Sequence, residues 1–163
     1  MTFRLRTLAP LRFLLVVAFA CPSLAQEPAA PEAPNPKFDA ALAAQVGADE
    51  HGMRSYVLVI LKTGPQRMPD GPERDAMFKG HFANMKRLAG EGKLALAGPL
   101  DGVDGWRGLF VLSVPDIEEA KTLVATDPVV AKGEMVPEFH KYFGSAALML
   151  VNEAHDRVQK KSF

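Results

Sequence analysis

The chain has 163 residues, with 19 basic and 19 acidic side chains. A balanced charge without a basic stripe argues against nucleic-acid binding. The one cysteine, Cys21, lies close to the amino terminus. If that segment is removed, neither a disulfide nor a cysteine-based metal site can form in the mature chain.

Residues 1–25 have the order of a secretory signal peptide. Three arginines precede a short apolar run, and small residues occupy the cleavage positions before residue 26. The run is too short to span a bilayer as a helix, so we expect an exported protein, periplasmic or secreted, without stable membrane insertion after cleavage. Lipidation at Cys21 stays open as an alternative to cleavage after Ala25. The mature chain would carry 16 basic and 19 acidic residues, a net charge of about −3.

Residues 26–53 precede the main domain. Residues 26–36 contain four prolines among alanines, which predicts a semi-rigid, solvated tether. Asn35 then predicts a helix cap with Pro36 in the first turn, and Gly47 ends this short helix. The resulting division is a signal peptide at 1–25, a tether with a short helix at 26–53, a domain at 54–146 and a tail at 147–163.

From residue 54 onward the pattern predicts strand, helix, strand, strand, helix, strand. The strands fall at 54–62, 93–97, 107–114 and 134–143, and the helices at 72–88 and 117–126. This order is typical of the ferredoxin-like βαββαβ arrangement. We therefore predict an α+β fold with two helices on one face of a four-stranded antiparallel sheet.

Both faces of the predicted central strands are apolar. Along residues 54–62 apolar side chains point alternately to the two faces, but two helices can cover only one face of the sheet. We expect a second copy of the chain to cover the other face in a sheet-to-sheet homodimer. The alternative is that the amino-terminal helix and the segment after Gly144 fold over that face.

His81 lies on the apolar stripe of the first domain helix, four residues from both Met77 and Met85. Its imidazole can exchange a proton near neutral pH. Taken alone, a histidine in such a position is more often a hydrogen-bonded core residue than a catalytic one.

Asp127 lies on the apolar stripe of the second helix, at its carboxyl end. Burial and the helix dipole both disfavour a carboxylate there, although Pro128 also allows a plain turn or cap. The two helices of this fold run antiparallel, so His81 and Asp127 can lie at matching heights. An aspartate in hydrogen-bond reach would fix the tautomer of His81 and favour its protonated form, which makes the imidazole a competent general base.

The stretch from residue 56 to about 144 resembles the YciI-like (YCII-related) domains of the dimeric α+β barrel superfamily. The resemblance is carried by YVLVILK, by GHFANMKRLAGEGKLALAGP with His81, and by DIEEAKTLVATDP with Asp127. It implies a ferredoxin-like fold, a dimer with sheets packed face to face, a pocket between helices and sheet, and a His81–Asp127 dyad. Related enzymes perform lyase-type elimination or isomerisation on small cyclic or aromatic compounds without metal.

We therefore expect an exported enzyme in which His81 is the base and Asp127 orients it, with no metal and no cofactor. Gly98 and Pro99 would shape the pocket wall, and Tyr56 and His140 are further candidate substrate-binding residues. A non-catalytic, dimeric module that binds a small molecule is the alternative, since the same pocket would serve.

Two other site types are disfavoured. Metal binding by His81, Asp127, Glu138 and His140 is weakly supported, since only the last two have ligand spacing, on one strand face. The glycines lack the fingerprint of a phosphate-binding loop, so no nucleotide cofactor is indicated.

Overall fold

The structure is a computed structural model that describes residues 35–161. The expected signal peptide and most of the expected tether lie outside the described residues. By the contacts among its residues the chain divides into two units, Met1–Pro36 and Lys37–Phe163, and the fold described below is that of the second unit. Across residues 35–161 no helix combines the length and the apolar character needed to cross a bilayer.

The elements of the described residues follow the predicted order. In chain order they are helix α1 (Ala40–Val46), strand β1 (Met53–Thr63), helix α2 (Pro72–Gly90), strands β2 (Leu94–Pro99) and β3 (Trp106–Leu112), helices α3 (Ile117–Val124) and α4 (Pro128–Ala131), strand β4 (Met135–Ser145) and helix α5 (Val151–Val158), with short 3-10 turns at Val103–Gly105 and Ala146–Leu150. The predicted strand ends agree with the observed ones within two residues.

The four strands form one antiparallel sheet in the order β2-β3-β1-β4. The main core lies between this sheet and helices α2, α3 and α4, which all contribute to one cluster of buried apolar side chains. Full burial of one large aliphatic side chain contributes roughly 1.5 to 3 kcal/mol, so this layer holds the helices to the sheet. The predicted ferredoxin-like α+β fold is confirmed.

The first helix begins later than predicted. Asp39, not Asn35, is the cap of α1, since its side chain accepts a hydrogen bond from the Leu42 N–H at 3.0 Å. Pro36 lies in a turn before the helix. The predicted end at Gly47 is confirmed, because this glycine adopts the left-handed conformation with φ of 67°.

The predicted second domain helix ends two residues earlier than predicted, and a further short helix follows it. Helix α3 begins after its cap Asp116, as predicted, and ends at Val124, and helix α4 starts at Pro128. A proline lacks an N–H and disfavours helical backbone at the residue before it, so α3 cannot continue through Asp127.

The second face of the sheet is covered in part by the end of the chain. Leu148 and Met149 pack against Tyr56 and Val111, and the Tyr56 hydroxyl donates to the carbonyl of Ser145 at 2.9 Å. Helix α1 packs on the same 3-10 turn. For this part of the face, the alternative prediction is correct: the segment after Gly144 folds back over the sheet.

Candidate functional site

His81 and Asp127 meet between helix α2 and the start of α4. The Nδ1 atom of His81 lies 2.8 Å from Oδ2 and 2.9 Å from Oδ1 of Asp127. Asp127 is fully buried and His81 is 8% exposed. An ionised carboxylate can only accept, so Nδ1 carries the proton and donates it. The predicted pairing is confirmed.

Asp127 also has the capping role that Pro128 left open as an alternative. It follows the carboxyl end of α3 and caps α4, where its Oδ1 accepts from the Val129 N–H at 3.1 Å. Its Oδ2 also accepts from the Asn84 amide at 3.2 Å. With three donors around it, the buried carboxylate is satisfied without a permanent positive charge.

Gly80 allows the two helices to approach closely enough for this pair. A Cβ atom at Gly80 would lie 2.9 Å from Cγ of Pro128, closer than two carbon atoms tolerate. A glycine inside a helix costs about 1 kcal/mol relative to alanine. The cost is offset at this position because α2 can lie directly against the residue that follows Asp127.

The imidazole of His81 is surrounded by aromatic rings. The ring of Phe110 on β3 is nearly parallel to it, with centroids 5.9 Å apart, and the rings of Phe82 and Phe78 lie at 5.5 Å and 6.2 Å. Within residues 35–161 no hydrogen bond is formed by His81 Nε2, and this atom is not sealed from solvent. The lone pair of Nε2 is therefore not used by a donor of the described residues.

Gly98 and Pro99 lie next to a residue that pairs with Phe110. They end strand β2, and this residue is Ala97, which precedes them. Gly98 is half-buried and Pro99 is exposed. Their predicted role in a pocket wall stays a prediction.

Tyr56 and His140 are not brought to the pair. Successive side chains of a strand point to opposite faces, and Val57 of β1 and Phe139 of β4 are the ones that pack toward the helices. Tyr56 and His140 therefore point to the other face. Within one chain, the sheet separates them from His81, so they cannot line the same site.

The same alternation divides the alternative metal-ligand set. Glu138 faces away from the helices like His140, whose Nε2 lies 2.7 Å from Glu138 Oε1, and Lys62 binds the other oxygen of Glu138. In the part of the chain that the structure describes, no group of three or more His, Cys, Asp or Glu side chains could hold a metal ion.

A surface hollow of about 360 Å³ lies away from His81 and Asp127, and Arg54 and Ser113 are among the residues that line it.

Two buried polar residues were missed by the sequence reasoning. Asn84 lies three residues after His81, and this helical spacing could have placed it beside the histidine. Glu134 is fully buried and accepts from the Met68 N–H at 2.7 Å and from Arg74 at 3.1 Å. No local pattern marks Glu134, since both partners come from distant positions in the chain.

The comparisons with known proteins cover this region. A family model described as a YCII-related domain matches residues 55–137, just over half of the chain. The matched range includes His81, Asn84 and Asp127. No curated protein matches the chain.

Proposed function

The chain belongs to the YCII-related domain family, and we propose that it is an exported small-molecule enzyme in which His81 is the general base. The reaction class is elimination or isomerisation by proton transfer, as in a lyase or an isomerase. One observation carries this proposal: Asp127 holds Nδ1 of a nearly buried imidazole while Nε2 stays available.

The proton transfer follows from this arrangement. Nε2 of His81 takes a proton from a carbon beside a carbonyl. The electron pair of that C–H bond forms a double bond to the carbonyl carbon, and the carbonyl π pair moves to the oxygen, which gives an enolate. The imidazolium that forms lies 2.8 Å from the Asp127 carboxylate, which stabilises its charge. In the isomerisation of an unsaturated carbonyl compound, the imidazolium returns the proton to another carbon of the conjugated enolate, and the carbonyl re-forms. In an elimination, the carbonyl re-forms while a leaving group on the next carbon departs with its electron pair.

The aromatic surroundings of His81 favour a small cyclic or aromatic substrate. The rings of Phe78, Phe82 and Phe110 lie within 6.2 Å of the imidazole, between ring centroids. Rings of this kind attract planar groups through offset or edge contacts and exclude water from the reacting atoms.

Hydrogen–deuterium exchange tests the proposal on a panel of compounds rather than on one chosen substrate. The mature chain is incubated in D2O with small cyclic ketones and lactones, and ¹H NMR follows loss of the proton beside the carbonyl. For an exchanging compound, His81→Gln should lower the rate by about 10²-fold or more, the usual contribution of a general base. His155→Gln, on the exposed helix α5, is the matched control and should leave the rate unchanged. An unchanged rate in His81→Gln would remove His81 from the mechanism.

A non-catalytic binding module is the second candidate, favoured by the small exposed fraction of His81, 8%. A largely buried imidazole serves as a hydrogen-bond anchor as well as a base. A compound that raises the melting temperature but returns without deuterium would support binding alone.

We also propose a homodimer through the uncovered part of the sheet. Val136 and Tyr142 on this face are 45% and 38% exposed, and two such apolar edge residues gain from contact with a second copy. Sedimentation velocity should show a dimer for the mature chain and a weaker one for Tyr142→Glu. A monomer at all concentrations would contradict it.

Export is proposed from the pattern of residues 1–25 alone. Mass spectrometry of the protein from the periplasmic or secreted fraction should give a chain that begins at Gln26. A chain with a lipid on Cys21 would support the alternative processing instead.

A further inference from the structure

A row of polar side chains connects the surface of helix α2 with the buried pair. The Arg87 guanidinium donates to Asn84 Oδ1 at 2.7 Å, and the Asn84 amide donates to Asp127 Oδ2 at 3.2 Å. Asn84 is 8% exposed, so its amide makes these contacts away from bulk water. Arginine can only donate, so the oxygen of Asn84 must face Arg87 and its NH2 group must face Asp127.

Arg87 is itself held at the turn that carries Asp127. It donates to Thr126 Oγ1 at 3.2 Å, while the Thr126 hydroxyl lies within donating distance of the Leu123 carbonyl at 2.6 Å and of Asn84 Oδ1 at 3.2 Å. On its outer side Arg87 pairs with Glu91 at 2.9 Å, with both side chains about half exposed. The inner contacts of Arg87 thus join α2 to the residue that precedes Asp127.

We propose that Asn84 and Arg87 are positioning residues for the His81–Asp127 pair. Asn84 fixes the plane of the Asp127 carboxylate by holding Oδ2, so both oxygens stay within reach of His81 Nδ1. Arg87 prevents rotation of the Asn84 amide. A rotated amide would turn its oxygen toward the carboxylate, and two acceptors would then repel each other. The catalytic consequence rests on the proposed function, whereas the orienting effect does not.

Imidazole NMR of the ¹⁵N-labelled mature chain tests the orienting effect directly. At the alkaline end of a pH titration, His81 should show a single Nδ1–H form with a slowly exchanging proton. Asn84→Ala should speed exchange of this proton about tenfold, because one hydrogen bond to the carboxylate is lost. Asn84→Leu removes the same hydrogen bond but leaves no cavity, since leucine has the same number of side-chain heavy atoms as asparagine. It should speed exchange of the His81 proton to the same extent, because the lost hydrogen bond and not a cavity is the cause.

Variants of Arg87 separate orientation from helix stability. Arg87→Ala should populate a second His81 form and speed exchange, and Arg87→Lys should restore most of the wild-type signal because a lysine can still donate to Asn84 Oδ1. Glu91→Gln removes only the outer ion pair and should leave the signal unchanged. Wild-type exchange in both Asn84 variants, or an equal effect of Glu91→Gln and Arg87→Ala, would overturn the proposal.

The result stays distinct from the test of general-base catalysis. If His81→Gln retains turnover, the imidazole spectra still decide whether Asn84 and Arg87 orient the pair. If His81 is the base, Asn84→Ala should lower kcat about tenfold with little change in KM, since Asn84 does not touch the substrate.

Discussion

Two fully buried carboxylates lie seven residues apart, and both are held by side chains of helix α2. Glu134 is paired with Arg74 and with the Met68 N–H, whereas Asp127 is paired with His81, Asn84 and the Val129 N–H. Arg74 is a permanent cation, and its guanidinium lies over the ring of Phe78 at 4.7 Å. His81 can release its proton, and its second nitrogen is available.

Glu134 has a structural role. Together with Arg74 and the Met68 N–H it forms a group of contacts that we call the Glu134 clamp. The Gly64 N–H donates to the Glu134 carbonyl at 2.8 Å, and a Cβ atom at Gly64 would lie only 2.1 Å from the carbonyl oxygen of Gly133. The connection between β1 and α2 is thus pressed against the start of β4. The difference between the two carboxylates shows that burial alone does not identify a catalytic site. A catalytic site also needs a partner side chain that can exchange a proton.

The largest expected effect of this difference is on turnover. Asp127→Asn should reduce the rate on any compound found to react by about 10³ to 10⁴-fold, because an amide can hold His81 in the wrong tautomer. Glu134→Gln should leave the rate of the folded protein near that of the wild type. Steady-state kinetics checks both, and an equal loss in the two variants would erase the contrast.

Stability should depend strongly on Glu134. Glu134→Gln should lower the free energy of unfolding by about 3 kcal/mol, since it leaves the largely buried Arg74 without its buried charged partner. Asp70→Asn removes the exposed second partner of Arg74 and should cost less than about 1 kcal/mol. Urea denaturation measures both. A loss below about 1 kcal/mol for Glu134→Gln would contradict the clamp.

The clamp should also depend on pH. Burial raises the pKa of Glu134, but the Met68 N–H and Arg74 outweigh this and leave the pKa below its ordinary value of 4.5. A lowered pKa in the folded state stabilises the fold above the pKa of the unfolded chain, and this contribution is lost as pH falls through the folded pKa. The stability difference between wild type and Glu134→Gln should be constant above about pH 5.5 and shrink in more acidic urea titrations. A difference that grows toward acid would have the wrong sign.

The smallest effect is expected at Gly80. Gly80→Ala gains about 1 kcal/mol of helix propensity but meets Pro128, so stability should change little or fall. The imidazole signal of His81 should nevertheless change, because α2 is pushed away from Asp127. Gly90→Ala has open space around it and should stabilise the protein without altering that signal. A fully stabilising Gly80→Ala with an unchanged His81 signal would show that the close approach is not needed.

Much of the candidate site could be predicted from the sequence because it depends on local periodicity. His81 lies on a helical stripe, and the antiparallel course of two helices is enough to bring Asp127 beside it. Asn84 shares this spacing and could have been found by the same reasoning. Tyr56 and His140 were placed at the site by prediction, but alternation along the strands assigns them to the opposite face.

The amino-acid sequence by itself determined the order of the elements, the antiparallel sheet and the inward position of His81, because these follow from side-chain spacing along single segments. Only the tertiary structure decided that Asp127 caps α4, that Glu134 is paired with Arg74, and that the chain after Gly144 covers part of the sheet. These features depend on contacts between distant segments, and no pattern within one segment contains them.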